Sequence, residues 1–511
     1  MNRSKILIKN QIVITLFGLF GQILVFITFP MLIKHVGNDD FGIYSLSGAL
    51  GSYITIFITS FRAAFIKNIS ELDGKNDIDS INIIFNTSII TYFIFGFILA
   101  LYNLFLAYFG IHFFSIPETS IWKAETIFAL NAIFCIFMMP LSLASSYFNA
   151  VQKNVITSIF QILLNILFSI AIIYTIYKKE NIIFLFILNM SGHLLLSMLS
   201  FSLLFKKYHF LSIKKTYFST VHFKQMMNYS SWMFLIALAF VLIYQTDQII
   251  IGLFLPVGMI TFYQIGAKLH NIIKMIDGFF GTPITPSLSN AIGAKDLRYI
   301  EQLKYRGLKF LLFIFAPIIT MFIIFAGPII SLWIGPEYAK DSTLLTQLFV
   351  GYWYFGIIVF FMGRLAQGYG YVKEFALVIF FGAFLNVILS IAFIKTIGII
   401  GVVLGTLVQF ILIFPLFFKT LTEKLELSLQ KLLIEIIVPI YSINLVLGLF
   451  IYSINKLITI NSISILVLVT FSSTLITYFF EFLILKSEEK QFISNSIKSA
   501  LGKITPALYH A

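Results

Sequence analysis

The sequence predicts an all-α polytopic membrane protein with about 14 transmembrane helices. Of its 511 residues, 59% are hydrophobic and only 11% are charged, and its mean hydropathy is +0.96. Soluble domains of this length do not have such a composition. Fourteen apolar stretches are each long enough to cross the ~30 Å hydrocarbon core of a bilayer. Lipid, rather than water, is therefore the expected surroundings of most of the chain.

The predicted spans follow one another with short connections. The longest interior connections, 206–228 and 284–309, are basic, and no connection on the opposite side is long enough to fold as a domain. The fourteen spans are 11–33, 42–66, 82–109, 126–148, 154–177, 181–205, 229–256, 257–283, 310–334, 342–367, 375–394, 397–418, 432–455 and 461–485.

Positive charge is distributed unequally between the two sides of these spans. Alternate connections carry 24 Lys and Arg on one side and seven on the other. The positive-inside rule places the basic side, with both termini, in the cytoplasm. The rule also accounts for the net charge of +13, so no nucleic-acid partner is expected. We interpret the basic N-terminus and its long apolar run as an uncleaved first helix.

The chain repeats itself at an offset of about 220 residues. LNILFSIAI at 164–172 matches LNVILSIAF at 385–393, and the segments that end at Asp77 and Asp296 also correspond. Both copies start on the cytoplasmic side, which predicts a parallel repeat of two six-helix lobes. The predicted organisation is an N-terminal lobe, a basic cytoplasmic linker, a C-terminal lobe, and two extra helices with a tail: 1–205, 206–228, 229–418 and 419–511.

Two opposite charges lie at similar depth in adjacent spans. Asp247 is ~14 Å and Lys268 ~17 Å from a tight turn at Pro256, at 1.5 Å per helical residue. Charges in the middle of a spanning helix are costly and usually face a bundle interior or a watery cavity. The sequence leaves two interpretations open: an internal ion pair that holds the hairpin, or a substrate cation at Lys268 with a coupling carboxylate at Asp247.

Three further ionisable residues inside spans are candidates for function. Arg62 and Arg364 lie near the predicted cytoplasmic ends of their spans. They either extend to lipid headgroups or stand at the mouth of a cavity that receives an anion. His193 lies within the sixth span, as a proton relay or as a neutral, hydrogen-bonded side chain.

Several kinds of chemistry have no support in the sequence. The single Cys135 excludes an intrachain disulfide or a thiolate metal cluster, and the chain has no HExxH, CxxC, GxSxG or Walker A motif. We therefore expect no metal site, no cofactor and no enzymatic activity. Without an ATP-binding motif, any transport would depend on an ion gradient or on consumption of the product.

Four stretches resemble the bacterial polysaccharide (O-antigen-type) flippases of the multidrug/oligosaccharidyl-lipid/polysaccharide exporter superfamily. Their order along the chain is the specific part of the likeness, and they cover most of residues 11–418. They are PMLIKHVGNDDFGIYSL at 30–46, TDQIIIGLFLPVGMITFYQIGAKL at 246–269, ISLWIGPEYAKDSTLL at 330–345, and GYVKEFALVIFFGAFLNVILSIAFIKTIGIIGVVLGTL at 370–407.

The resemblance implies a cation-lined cavity between two bundles in the bacterial cytoplasmic membrane. It implies alternating-access export of undecaprenyl-diphosphate-linked oligosaccharides, with Lys268, Arg62 and Arg364 as the candidate cations. Besides membrane lipids, a proton or sodium ion and other polysaccharide-assembly membrane proteins are candidate partners. The alternatives are a cation-coupled multidrug exporter of the same superfamily and a membrane polysaccharide polymerase or ligase. The absence of a large outer loop argues against the latter.

Overall fold

The computed structural model describes residues 20–490, apart from 22, 230, 282, 459 and 488. These residues form helices and no β-strand. Eleven helical stretches of the described residues, some of which join two consecutive helices, are long and apolar enough to cross a membrane. This is expected for a chain in lipid, because a helix satisfies its own backbone hydrogen bonds. The predicted all-α polytopic fold class is confirmed.

The helices are numbered in chain order. Their bounds are α1 (Ile23–Val36), α2 (Asn38–Lys75), α3 (Ile78–Tyr108), α4 (Glu118–Leu141), α5 (Leu143–Ala150), α6 (Asn154–Lys178), α7 (Ile182–Lys207), α8 (Thr220–Tyr229), α9 (Ser231–Tyr244), α10 (Thr246–Phe254), α11 (Met259–Gly281), α12 (Ile284–Gly293), α13 (Leu297–Trp333), α14 (Pro336–Gly351), α15 (Trp353–Tyr369), α16 (Val372–Ile397), α17 (Ile399–Lys424), α18 (Leu429–Leu432), α19 (Val438–Asn455) and α20 (Ile463–Ile484).

The count of fourteen spans is not confirmed. The predicted spans 42–66 and 257–283 correspond to α2 and α11, helices of 38 and 23 residues that are not among the eleven. Within α11, Lys268, Lys274 and Asp277 interrupt the apolar sequence. The first predicted span, 11–33, begins outside the described residues, and its described part belongs to α1.

The turn between α10 and α11 packs closely against the start of α2. A Cβ at Gly42 would lie 2.2 Å from the carbonyl oxygen of Val257, and one at Gly258 would lie 2.4 Å from Oδ1 of Asp39. Thr261 Oγ1 also donates to the carbonyl of Asn38 at 2.8 Å. Two sequence stretches that carried the family resemblance are thus packed against each other, and only glycine allows their backbones to approach so closely.

The internal repeat recurs in local backbone structure. Asp77 and Asp296 cap the N-termini of α3 and α13, each accepting the N–H three residues on, at 3.1 and 3.0 Å. The residue before each cap has φ of 55°, an unusual value outside glycine. Two further pairs of positive-φ residues recur at offsets of 218 and 219: Gln152 with Gly370, and Lys179 with Gly398.

Contacts between Cα atoms divide the chain into two compact units. The first unit comprises Met1–Lys268 and Tyr371–Ile413, and the second Leu269–Gly370 and Phe414–Ala511. A buried aromatic cluster around Phe61, Phe85 and Tyr147 forms a core of the first unit. In the second unit, Met321 and Phe325 of α13 pack against α19 and α20. The predicted lobe boundaries stay a prediction.

Candidate functional site

The first unit contains a cavity of about 590 Å³ with one charged side chain, Lys268, among the described residues that line it. Its wall is part apolar, from Phe29, Phe168 and Phe186, and part polar. The volume lies in the range of small-molecule binding pockets. The polar and charged lining consists of Tyr44, Ser45, Ser47, Ser52, Thr55, Asn103, Asn131, Gln245, Gln248, Gln264 and Lys268. We refer to this space as the Lys268 cavity.

Lys268 and Gln264 are four residues apart on α11, so both side chains lie on one face of the helix. The Lys268 ammonium lies 5.2 Å from the ring centroid of Phe29, a cation–π distance. No carboxylate is present in the described lining. The half-buried cation is therefore available to an anion that enters the cavity.

Three glutamines form a hydrogen-bonded row along one wall. Gln264 Nε2 donates to Oε1 of Gln248 at 2.7 Å, and Gln248 Nε2 donates to Oε1 of Gln245 at 3.1 Å. Gln245 occupies the break between α9 and α10. Sequence reasoning missed this row, although three amides at similar depth on adjacent apolar helices were a usable signal. Amides and hydroxyls of this kind are the groups that orient polyhydroxylated ligands.

Asp247 does not pair with Lys268. Its side chain is buried, and Oδ2 accepts hydrogen bonds from Tyr263 Oη at 2.9 Å and Thr406 Oγ1 at 3.4 Å. Successive residues of a helix point about 100° apart, so Gln248 reaches the cavity while Asp247 faces other side chains. Equal depth left an ion pair open as one interpretation, but in this structure the Asp247 carboxylate is directed to Tyr263 and Thr406 instead.

The hydrogen bonds of the Asp247 carboxylate continue into polar side chains of α16 and α17. Asn386 Nδ2 donates to Thr406 Oγ1 at 2.8 Å, and Ser390 Oγ donates to the carbonyl of Val402 at 3.3 Å. Within the described part of the chain, Asp247 Oδ1 and Asn386 Oδ1 are buried and have no hydrogen-bond partner. We call Asp247, Tyr263, Asn386, Ser390 and Thr406 the Asp247 cluster. Its composition suits a proton or a hard cation held by oxygen atoms.

Two glycines bring α16 and α17 close enough to form the Asp247 cluster. A Cβ at Gly405 would lie 2.8 Å from the backbone nitrogen of Ser390, and one at Gly401 would lie 2.4 Å from the carbonyl carbon of Phe393. Small residues four apart commonly permit such close helix packing in membranes.

The other sequence-predicted candidates are not brought into the Lys268 cavity. Arg364 in the second unit forms a bidentate ion pair with Asp277, at 2.9 and 2.5 Å, so its charge is already compensated. Arg62 on α2 and His193 on α7 are both half-buried and do not line the cavity. Neither makes a hydrogen bond or ion pair within residues 20–490 as described.

Tyr44 and Tyr263, which occupy matching positions in the repeat, have different environments. Tyr44 lines the cavity and accepts a hydrogen bond from Asn189 at 3.3 Å. Tyr263 is buried and donates to Asp247. Only Tyr44 is therefore placed to stack on a ligand in this cavity.

Many apolar helices around a polar internal cavity define a multi-pass membrane protein of the transporter class. Residues 7–291, more than half of the chain, match the family described as "Polysaccharide biosynthesis protein", and the chain belongs to that family. Residues 233–392 match the family described as MatE. The resemblance to the polysaccharide flippases of the exporter superfamily is thereby confirmed.

One curated relative is the "Putative O-antigen transporter" of Shigella flexneri. It is 22% identical over 145 residues, which are 28% of this chain and 34% of that protein. The chain thus aligns with about a third of the length of this relative.

Solved structures share the fold. The lipid II flippase MurJ, in an inward closed conformation, superposes with a TM-score of 0.71 at 17% identity, over 93% of this chain and 100% of that one. An inward-facing multidrug resistance MATE transporter gives 0.65 at 14% identity, over 79% and 94%. A superfamily transporter from Pyrococcus furiosus gives 0.59 at 14% identity, over 82% and 95%.

Proposed function

We propose that this protein is a flippase that moves undecaprenyl-diphosphate-linked oligosaccharides across the bacterial cytoplasmic membrane by alternating access, for surface polysaccharide synthesis. The main support for this proposal is the Lys268 cavity. Its described lining combines one cation with amides and hydroxyls and contains no carboxylate. A diphosphate needs a fixed cation, and its sugars need hydrogen-bonding groups, once both leave water. Family membership supports the same substrate class.

Cells that lack the protein provide the direct test. They are expected to keep synthesising lipid-linked repeat units, which should accumulate on the cytoplasmic leaflet and disappear from the outer one. Leaflet-specific labelling of the sugar measures both pools. The proposal fails if units reach the outer leaflet at the wild-type rate in a strain with no redundant transporter.

A multidrug exporter is the second candidate, favoured by the MatE match over residues 233–392. Cationic drugs are expected to prefer a cavity that contains carboxylates, whereas the described lining of this one contains Lys268 and no Asp or Glu. Expression in a drug-sensitive strain separates the candidates. Resistance to cationic drugs would favour the exporter, and unchanged sensitivity with restored surface polysaccharide would favour the flippase.

We propose further that the Asp247 cluster binds the coupling ion, a proton or a sodium ion. The two orphaned oxygens, Asp247 Oδ1 and Asn386 Oδ1, support this role because buried polar atoms are normally paired. A cation that binds here and is released on the other side of the membrane would couple its own concentration gradient to the alternating-access cycle that moves the substrate.

The coupling proposal predicts an ion-dependent stability that Asp247→Asn reduces. Wild-type protein in detergent should gain thermal stability either with sodium in place of choline or on mild acidification, because a ligand of the native state stabilises it. Asp247→Asn should respond less than wild type to whichever condition stabilises it, whereas Asp40→Asn, which alters the Lys123 ion pair instead, should respond as wild type. A response of Asp247→Asn equal to that of wild type under both conditions would refute the site.

Both termini are proposed to lie in the cytoplasm, on the basis of the 24-to-seven charge split. Reporter fusions after Asp73 and after Gly293 should then be cytoplasmic, and a fusion near Asn181 external. A cytoplasmic reporter at Asn181 would contradict the orientation.

A further inference from the structure

A second buried carboxylate, Glu481, lies in the second unit, on the last described spanning helix, α20. Its side chain is 0% exposed. Oε1 accepts a hydrogen bond from Nδ2 of Asn444 on α19, and Oε2 has no partner within the described residues. An ionised carboxylate offers about four acceptor positions, and here one donor reaches it. A buried charge with so little compensation would be strongly unfavourable.

A row of hydrogen bonds connects Glu481 to two other helices. Asn444 Oδ1 accepts from Thr320 Oγ1 of α13 at 3.3 Å, and Thr320 Oγ1 lies 2.5 Å from the Tyr354 hydroxyl of α15. Tyr441 of α19 donates to the carbonyl of Tyr354. The carboxyl thus ends a polar row that connects four helices inside an apolar surrounding.

No cation approaches Glu481 from these helices in the described structure. The nearest charged residue on α13, Lys309, pairs with Glu489, and Arg364 of α15 pairs with Asp277. The ranges Val438–Asn455 and Ile463–Ile484 contain no charged residue besides Glu481 itself. The titratable neighbours are Tyr354 and Tyr478, whose hydroxyls donate to the carbonyls of Ala316 and Ile314.

We propose that Glu481 binds a proton, and that the neutral acid fixes α19 and α20 against α13 and α15. Tyr478 Oη adds a direct tie, since it donates to the carbonyl of Ile314 on α13 at 2.7 Å. Loss of the proton places an uncompensated charge at the junction of these helices. The two C-terminal helices, which have no counterpart in the sequence repeat, are therefore a pH-responsive part of the molecule. The proton site shares no residue with the Lys268 cavity or the Asp247 cluster.

The sign of the pH effect follows from linkage. The folded state keeps the proton on Glu481 at neutral pH, while the unfolded chain releases it above about pH 4. Since the folded state binds more protons, its stability falls as pH rises. The apparent melting temperature of the full-length protein in detergent should fall by about 2–5 °C from mildly acidic to alkaline pH.

Glu481→Gln tests this directly, because the amide copies the neutral acid and cannot titrate. Its melting temperature should match that of wild type at acidic pH and exceed it at alkaline pH. Glu435→Gln is the matched control, since Glu435 is exposed and pairs with Lys486, and it should keep the wild-type pH response. Equal pH responses in wild type and Glu481→Gln would overturn the proposal.

Infrared spectroscopy on the wild type gives an answer that does not depend on a variant folding. The C=O stretch of a protonated carboxyl in an apolar site absorbs at a different frequency from carboxylates and amides. The band of Glu481 is the one that is missing from the spectrum of Glu481→Gln. In wild type, this band should be present at neutral pH and absent at alkaline pH. A carboxylate band in its place at neutral pH, or sodium-dependent stabilisation that Glu481→Gln removes, would replace the proton with a different state and refute the proposal.

Discussion

Lys268→Ala is expected to reach the membrane at the wild-type level and to lose most of its export. The ammonium faces a cavity and makes no ion pair in the described structure, so its removal leaves no buried charge uncompensated. A charge-assisted hydrogen bond to a diphosphate contributes ~1.5–3 kcal/mol, which corresponds to a loss of roughly 10- to 100-fold. Membrane level by immunoblot and surface polysaccharide, measured on the same cells, test this.

Companion variants separate substrate binding from structure. Lys268→Arg should keep part of the export because the positive charge remains, although the two side chains are not equivalent. Lys274→Ala, which removes a lysine of the same helix outside the cavity lining, should export normally. Lys268→Ala/Asp247→Ala should not recover export, because the two residues are not paired. Recovery in this double variant would restore the ion-pair interpretation.

The sequence predicted the membrane fold because lipid imposes a simple rule on composition. In lipid, a run of about 20 apolar residues satisfies its backbone hydrogen bonds by forming a helix. The positions of the helices therefore followed from hydropathy. The repeat was also visible, since caps and left-handed residues such as Asp77 and Asn76 have specific sequence requirements. The number of spans was harder to predict, because α11 combines an apolar stretch with three charges.

The site was only partly predictable, because hydropathy gives depth and not direction. Lys268 and Asp247 were selected as midplane charges, and the structure places Lys268 at a cavity and Asp247 in a polar cluster. Their separation depends on rotation around α10, which no periodicity in nine residues defines. The partners of Asp247 on α17 are distant in sequence, and Thr406 is a common residue in spanning helices. Nothing local identified it.

Arg364 shows the same limitation in the second unit. The sequence offered it as a cation for substrate, but its guanidinium pairs with Asp277, whose side chain is 5% exposed. Arg364→Ala should therefore lower the amount of protein in the membrane, because the remaining buried carboxylate costs ~3–5 kcal/mol. Arg364→Ala/Asp277→Ala should restore the level. Export per molecule, normalised to membrane level, should be similar in the double variant and the wild type. A double variant that inserts normally but does not export would return Arg364 to the transport mechanism.

A neighbouring glycine provides a test of the same ion pair that leaves both charges in place. A Cβ at Gly281 would lie 2.0 Å from Nη1 of Arg364, so Gly281→Ala requires the guanidinium to move and should weaken its pairing with Asp277. Gly278, one turn earlier on α11, has open space around its Cβ position. Alanine favours a helix over glycine by ~1 kcal/mol, so Gly278→Ala should be neutral or stabilising, while Gly281→Ala should destabilise. Thermal melting of the two variants in detergent is the measurement. Equal melting temperatures would show that the guanidinium does not occupy the space beside Gly281 in the folded protein.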